Sequence, residues 1–330
     1  MRLVADIGGT NARFALSPRG GVIEDPRVLR VRDFPGPAAA IRTYLDGRRV
    51  ASAVLAVATP VEGDEIAFTN SPWRFSREAL RAELGLARLL VINDMVAHAA
   101  VLPHLDPSDR RAIQDNGAEP DRPAAVIAPG TGLGIAMLVP CGVRPLPLPS
   151  EGGHSSFAPA DARERALLAL IEADRGHVSY ERFVSGPGLL LLARGLARLD
   201  GASCRARTPP EVTALAREGA CPHCREAVAR FSALLGAFAG DVALTLGARG
   251  GIHLSGGLLL ALDELFDHRA FLRRFTAKGR LSRYLERIPV SQITRTDTGL
   301  LGASWYGIEP DPGAEGRWSG GDEGGAGAPR

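Results

Sequence analysis

Aromatic residues make up only 5% of this 330-residue chain, and cysteine occurs four times. Four cysteines in so long a chain do not make the disulfide framework that staples small secreted domains. Neither charge sign dominates, since 39 basic side chains stand against 37 acidic ones for a formal net charge of +2. That balance gives no reason to expect nucleic acid or an anionic membrane as the main partner. A secretory leader is not expected, because the first apolar stretch, in MRLVADIGGT, is short and broken by Asp6. Later apolar windows such as residues 124–139 are cut by Pro and Gly, and fall short of the ~20 residues that a membrane helix needs. The expectation is a soluble, cytoplasmic protein. Hydrophobic residues at 45% and charged ones at 23% exclude wholesale disorder, collagen and coiled coil. Glycine (39) and proline (24) are plentiful, as in a soluble enzyme with many turns. At roughly 100–200 residues per domain, two domains are expected.

Short apolar runs punctuated by Gly and Pro set out the organisation. Arg2–Asp6 and Arg13–Ser17 predict two strands of a hairpin whose turn is IGGTN. Ala51–Ala58, Ile66–Asn70 and Leu89–Asn93 predict further strands. A helix is predicted from Ser76, which is placed to cap it, and another from Met95 to Pro103. Val126–Pro129, PGTGLG and Ile135–Pro140 repeat the opening design of strand, Gly/Thr loop, strand, which hints at an internal duplication. Residues 161–200 and 224–249 look helical, Gly251–Leu254 looks like a strand, and 258–274 looks like one helix. Mixed strands and helices in this order argue for an α/β fold. From Glu309 the chain is rich in Gly and lacks aliphatics, so residues 309–330 are expected to form a disordered tail.

Several motifs can carry chemistry. Asp6-Ile7-Gly8-Gly9-Thr10-Asn11 is either a plain hairpin turn or a phosphate cradle. Its glycines let backbone N–H groups converge, and Asp6 could hold a divalent cation through water. No Lys follows it, which excludes P-loop chemistry. Gly130-Thr131-Gly132-Leu133-Gly134 lies between strands rather than before a helix, which argues against a dinucleotide fold and suits a second phosphate clamp. Asn93-Asp94 ends a strand and opens a helix. There Asp94 is either a helix cap or the acceptor of a proton from an attacking hydroxyl. Glu151-Gly152-Gly153-His154 places a carboxylate and an imidazole on a Gly-bent loop suited to a polyol, and no zincin spacing accompanies it. Cys221-Pro222-His223-Cys224 has no matching second pair, and Cys141 and Cys204 lack the spacing to complete a site. It is therefore expected to be a packing feature at a helix start, and no metal ligand set is expected. His98 and His104 are expected to be ordinary surface or packing residues.

Read together, DIGGTNARFAL (6–16), FTNSPWRFS (68–76), LLVINDMVAHAAVLP (89–103), APGTGLGIAML (128–138), LPSEGGHSSFAP (148–159), GHVSYERFVSGPGL (176–189), LSGGLL (254–259) and GLLGA (299–303) resemble the bacterial glucokinase family. Eight motifs in order, across residues 3 to about 307, are far more specific than any one Gly loop. The resemblance implies a two-lobed α/β fold of the actin-like ATPase (ribonuclease H-like) type, with a cleft between its domains. The small domain would span 1–103 plus 298–308, and the large one 104–297.

The resemblance also implies ATP-dependent phosphorylation of D-glucose at the C6 hydroxyl, giving glucose 6-phosphate for glycolysis. ATP and Mg²⁺ would be its cofactors, and a homodimer its assembly. Asp94 would be the catalytic base. Asn93, Glu151, His154 and Glu181 would join it in holding the sugar hydroxyls. Gly8, Gly9, Thr10 and Asn11 resemble the first phosphate loop, and Gly130, Thr131 and Gly132 the second. Gly256 and Gly257 would lie near the adenosine, and Ser150 and Pro129 replace glycines that are common in the family. The alternatives are a related hexose or amino-sugar kinase and a non-catalytic sugar-sensing regulator on the same fold. Such a regulator would need a DNA-binding helix-turn-helix ahead of the first strand, which here begins at Arg2.

Overall fold

The computed structural model describes residues 1–307 except Thr69 and Val143. The expected tail at 309–330 lies outside the described residues. Leu3, Val4, Ala5 and Ile7 are fully buried along the first strand, and two sheets grow from such runs. The strands are β1 (Arg2–Ile7), β2 (Asn11–Ser17), β3 (Glu24–Arg30), β4 (Ser52–Val57), β5 (Glu65–Ala67), β6 (Arg74–Ser76), β7 (Arg88–Asn93), β8 (Arg110–Gln114), β9 (Ala124–Pro129), β10 (Leu133–Val139), β11 (Leu146–Ser150), β12 (Gly251–Leu254) and β13 (Val290–Ile293). The helices are α1 (Pro37–Leu45), α2 (Arg77–Glu83), α3 (Asp94–Ala100), α4 (Ala162–Arg175), α5 (Gly186–Leu199), α6 (Pro209–Arg217), α7 (Pro222–Leu246), α8 (Gly257–Leu262), α9 (His268–Thr276), α10 (Ser282–Leu285) and α11 (Thr298–Trp305).

The two sheets share one plan. The first has the order β3-β2-β1-β4-β7 and the second β11-β10-β9-β12-β13-β8. In each, a central strand (β1 or β9) pairs antiparallel with its hairpin partner and parallel with a strand from farther along the chain. A further parallel strand follows on that side and a further antiparallel one on the other. The repeated strand–loop–strand pattern in the sequence is therefore a repeated topology, with β8 added at one edge.

Helices α3 and α11 form the layer between the sheets. One face of the pair packs on Val4, Val54, Ala56 and Ile92 of the first sheet. The other face packs on Val126, Ala136, Leu138 and Ile293 of the second. The approach is close enough that a Cβ on Gly302 of α11 would stand 1.8 Å from the Ala97 carbonyl oxygen of α3. A larger core behind the second sheet gathers α5, α7, α9 and α6. Helix α7 has the length and composition of a membrane span, which the sequence windows had not singled out, yet 72% of its apolar window is buried inside the protein. It is the central helix of that core.

Some expectations change. The single helix expected over 258–274 is two, because Asp263 takes a left-handed conformation (φ 47°) and Asp267 caps a new start by accepting the Ala270 N–H. Of the strand expected over 66–70, Ile66 and Ala67 lie in β5 (Glu65–Ala67), Phe68 and Asn70 do not, and Thr69 lies outside the described residues. Strands β3 (EDPRVLR) and β11 (LPLPS) escape an alternation search, since both contain proline and both lie at sheet edges, where a missing N–H is tolerated. Ser76 caps α2 as expected, its hydroxyl accepting the Ala79 N–H at 3.0 Å.

Candidate active site

Parallel strands present their carboxyl ends on one side of each sheet, where α/β proteins place ligands. The motifs lie at those ends. Gly8–Asn11 follows β1, Asn93-Asp94 closes β7, Gly130–Gly132 follows β9, and Ser255–Gly257 follows β12. Helix α3 ties the two sides together, because a Cβ on Gly134 of β10 would meet the Met95 sulfur at 2.6 Å.

Asn93, and not Asp94, caps α3. Its Oδ1 accepts the Met95 N–H at 2.9 Å, while its Nδ2 donates to the Thr59 carbonyl at 3.3 Å. Asp94 is the first helical residue and its Oδ1 also accepts from Met95, at 2.8 Å. Burial pushes the Asp94 carboxyl up to about 7, and the negative charges of Asp6 and Glu151 add to the effect while the Met95 amide opposes it. A carboxyl with that affinity takes and releases a proton near neutral pH.

The second carboxylate group is held by the Gly130–Gly134 loop. Glu181, partly buried, accepts the Leu133 N–H on Oε2 at 2.9 Å. His154 lies between the acids, its Nδ1 3.9 Å from Glu181 Oε1 and its Nε2 4.0 Å from Glu151 Oε2. Gly152–His154 makes one 3-10 turn, and its position is held by Ser150, whose hydroxyl accepts the Gly152 N–H at 3.1 Å. Asp94, Glu151, His154 and Glu181 thus form one polar surface, with Glu151 and His154 mostly exposed. Several carboxylate oxygens and an imidazole with free hydrogen-bonding capacity suit a ligand carrying many hydroxyls.

The glycine loops are shaped by close approach. A Cβ on Gly9 would stand 2.7 Å from the Asn70 carbonyl, and one on Gly256 (φ 103°) 2.7 Å from that of Pro129. Gly8 donates to the Asn11 carbonyl at 2.9 Å, closing the first loop. Gly130 accepts from Gly186 and donates to the Gly132 carbonyl, both at 2.8 Å. Gly130 and Gly257 face open space, and Thr131 is exposed. Asp6, at the end of β1, receives Arg13 at 3.1 Å and is overlain by Gly299 at the start of α11.

Sequence spacing missed other participants. Arg30 and Arg32 line a surface pocket of about 480 Å³ with Gly9, Thr10 and Asn11, a basic setting for an anion. They come from the end of β3 and the turn after it, and no local motif marks them. Asn70, Thr59 and Gly299 enter through contacts with Gly9, Asn93 and Asp6. His98 is a packing residue that bridges the Thr298 hydroxyl at 3.0 Å and the Ser255 hydroxyl at 3.4 Å, with its basicity lowered chiefly by burial. His104 stacks on Trp305. Cys204, left out of any site on spacing, folds back onto the CPHC pair. The three thiol sulfurs lie within 4.8 Å of one another, because loop closure in space does not follow spacing along the chain. A cavity of about 580 Å³ bordered by Arg110, Ala124, Gly250 and His253 lies at the opposite ends of β9 and β12, away from this surface.

The chain is similar to known proteins over nearly its whole length. The family model for glucokinase matches residues 3–309. The chain is 47% identical to the glucokinase of Chromobacterium violaceum, covering 92% of this chain and 88% of that protein. It is 45% identical to the glucokinase of Aromatoleum aromaticum, covering 92% and 93% of the two. The crystal structure of a glucokinase from an Antarctic psychrotroph superposes with a TM-score of 0.82 at 35% identity, over 92% of this chain and 97% of that one. The chain belongs to the glucokinase family.

Proposed function

We infer that this chain transfers the γ-phosphoryl group of ATP to the C6 hydroxyl of D-glucose, giving glucose 6-phosphate and ADP. The observation that carries the reading is Asp94, a carboxyl poised near neutrality beside Glu151, His154 and Glu181, with two glycine loops close by. A sugar hydroxyl is a weak nucleophile, so a positioned base and an in-line phosphoryl group are what the reaction needs. In this reading Asp94 accepts the proton as the oxygen bonds to phosphorus and the bond to ADP breaks. Asn93, Glu151, His154 and Glu181 orient the remaining hydroxyls. Asn93 would contribute through the polar edge left beside its two structural hydrogen bonds.

The loops Gly8–Asn11 and Gly130–Gly132 would receive the phosphates through the amides of Gly9, Thr10, Thr131 and Gly132, since those of Gly8 and Gly130 close the loops, and Gly256 and Gly257 would border the adenosine. Oxygen donors suit Mg²⁺, and Asp6, whose Oδ2 is shared with Arg13, would be the carboxylate that holds it through water. When bound, that ion supplies charge neutralisation at the phosphoryl oxygens. Residues 1–103 with 298–308 would form the small lobe and 104–297 the large one. α3 and α11, which pack between the two sheets, would then lie at their junction, and closure over the sugar would keep water from competing.

A coupled assay across glucose, mannose, fructose and N-acetylglucosamine, each with ATP, ADP and polyphosphate, tests the reading. Glucose with ATP is expected to give the highest kcat/KM, with activity lost on EDTA treatment and restored by Mg²⁺. No turnover of glucose, or faster turnover of another sugar, would overturn it.

A further inference from the structure

The cysteine cluster plays no part in that chemistry. It lies where the loop after α5 meets the start of α7. Cys221 caps α7, its sulfur accepting the Cys224 N–H at 3.4 Å, and Pro222 occupies the first helical turn. Spacing of three on a helix start brings Cys221 and Cys224 to one side. Arg205 then ties the α5–α6 loop to this point by donating to the Ala220 carbonyl at 3.3 Å, which delivers Cys204. Cys204 Sγ stands 3.9 Å from Cys224 Sγ, and all three sulfurs lie within 4.8 Å of one another. None of the three is in a disulfide.

The 3.9 Å separation of Cys204 and Cys224 matches the edge of a metal–thiolate tetrahedron. Bonds of about 2.3 Å from zinc to sulfur, at tetrahedral angles, set sulfurs about 3.8 Å apart. The N-terminus of a 25-residue helix, the longest in the described residues, favours thiolate charge at this place, against burial that pushes the Cys224 thiol up. Cys221 and Cys224 are buried while Cys204 is partly exposed, so the cluster opens to solvent on one side only. His223 lies between the two helix cysteines in sequence, but its Nε2 is turned to Asp200 at 3.1 Å and it stands outside the cluster.

We propose that Cys204, Cys221 and Cys224 form a three-thiolate site for a thiophilic divalent cation, zinc by preference, with water completing the tetrahedron. Soft sulfur donors select such an ion over Mg²⁺. The site clamps the α5–α6 loop to the start of α7 and uses none of the carboxylates that would hold the sugar. It reverses the expectation from spacing that the CPHC pair has no metal role.

The test uses the full-length chain, stripped of metal and held reduced, and titrated with Co²⁺ and with Zn²⁺ against a chromophoric chelator. Tetrahedral thiolate bands on adding Co²⁺ are expected, along with about one zinc per chain. Zinc should also protect all cysteines but Cys141 from a thiol reagent. Cys204→Ser and Cys204→Ala should each weaken zinc binding by more than about 100-fold and leave glucose turnover unchanged, while Cys141→Ser should change neither. Failure of the reduced parent protein to bind zinc would overturn the proposal. So would zinc binding by both Cys204 variants as tight as the parent's. A parent protein that ignores zinc when reduced and loses two hydrogens on mild oxidation would overturn it too, and would mark the cluster as a disulfide pair.

Discussion

Gly132 and Glu181 stand so close that no side chain fits between them: a Cβ on residue 132 would lie 2.5 Å from Glu181 Oε2. The glycine lets the carboxylate reach across to the Leu133 N–H, so a residue of the second glycine loop fixes a residue of the proposed sugar site. Gly132→Ala would meet only the end of a flexible side chain, so the fold should survive it. Glu181 would be displaced from its amide, a hydrogen bond to a charged group worth about 1.5–3 kcal/mol. The expected result is a glucose KM raised about tenfold or more, with the melting temperature lowered by only a few degrees. An unaltered KM would show that Glu181 does not hold the sugar.

Asp94→Asn separates proton transfer from folding. Turnover should fall by about 10²–10⁴-fold, the range for loss of a general base, while glucose affinity changes much less. Because Asn93 caps α3, the helix start is kept. In the parent enzyme kcat/KM should climb with pH up to about 7 and level off above it, as the Asp94 carboxyl ionises. Stability should move the other way. Asp94 titrates higher folded than unfolded, so the folded state holds the extra proton between roughly pH 4 and 7, and stability declines as pH rises through that window. The Asn variant lacks this decline. It should melt at a higher temperature than the parent above pH 7 and at the same temperature below about pH 4. Near-parental turnover in the variant would sink the assignment.

Arg30 and Arg32 share a surface pocket with Gly9, Thr10 and Asn11. If that pocket takes phosphate, the double variant Arg30→Ala/Arg32→Ala should raise the KM for ATP several-fold and flatten its salt dependence, because exposed charges act through screened attraction. Glucose KM should stay put. Equal effects on both substrates would point to a general disturbance instead.

Gly302→Ala tests the layer between the sheets. The added methyl would meet the Ala97 backbone carbonyl, which cannot swing aside, so α11 must back away from α3. A loss of about 1–3 kcal/mol is expected, read as a lower denaturation midpoint. Gly257→Ala, where nothing stands within 4 Å, should leave stability unchanged.

Local chemistry is what the sequence by itself determined. Buried apolar runs marked β1, β4, β7, β9 and β12, since a strand covered on both faces needs no alternation to be recognised. Ser76 announced a helix start, and the glycine pairs announced turns that only small residues allow. The repeat of strand, Gly/Thr loop and strand was legible because both hairpins meet the same steric demands. Edge strands β3 and β11 were not, because a half-exposed strand with proline carries no hydrophobic signature.

Tertiary structure alone decided the rest. The order within Asn93-Asp94 could not say which side chain would cap α3, since either can accept an amide. The backbone angle at the end of β7 assigned that to Asn93 and left Asp94 beside Asp6 and Glu151. That proximity sets the proton affinity of Asp94, and no spacing along the chain encodes it, because Coulomb interaction and burial depend on distances across the fold. The same reason brought Arg30 and Arg32 to the first glycine loop and Cys204 to Cys221 and Cys224.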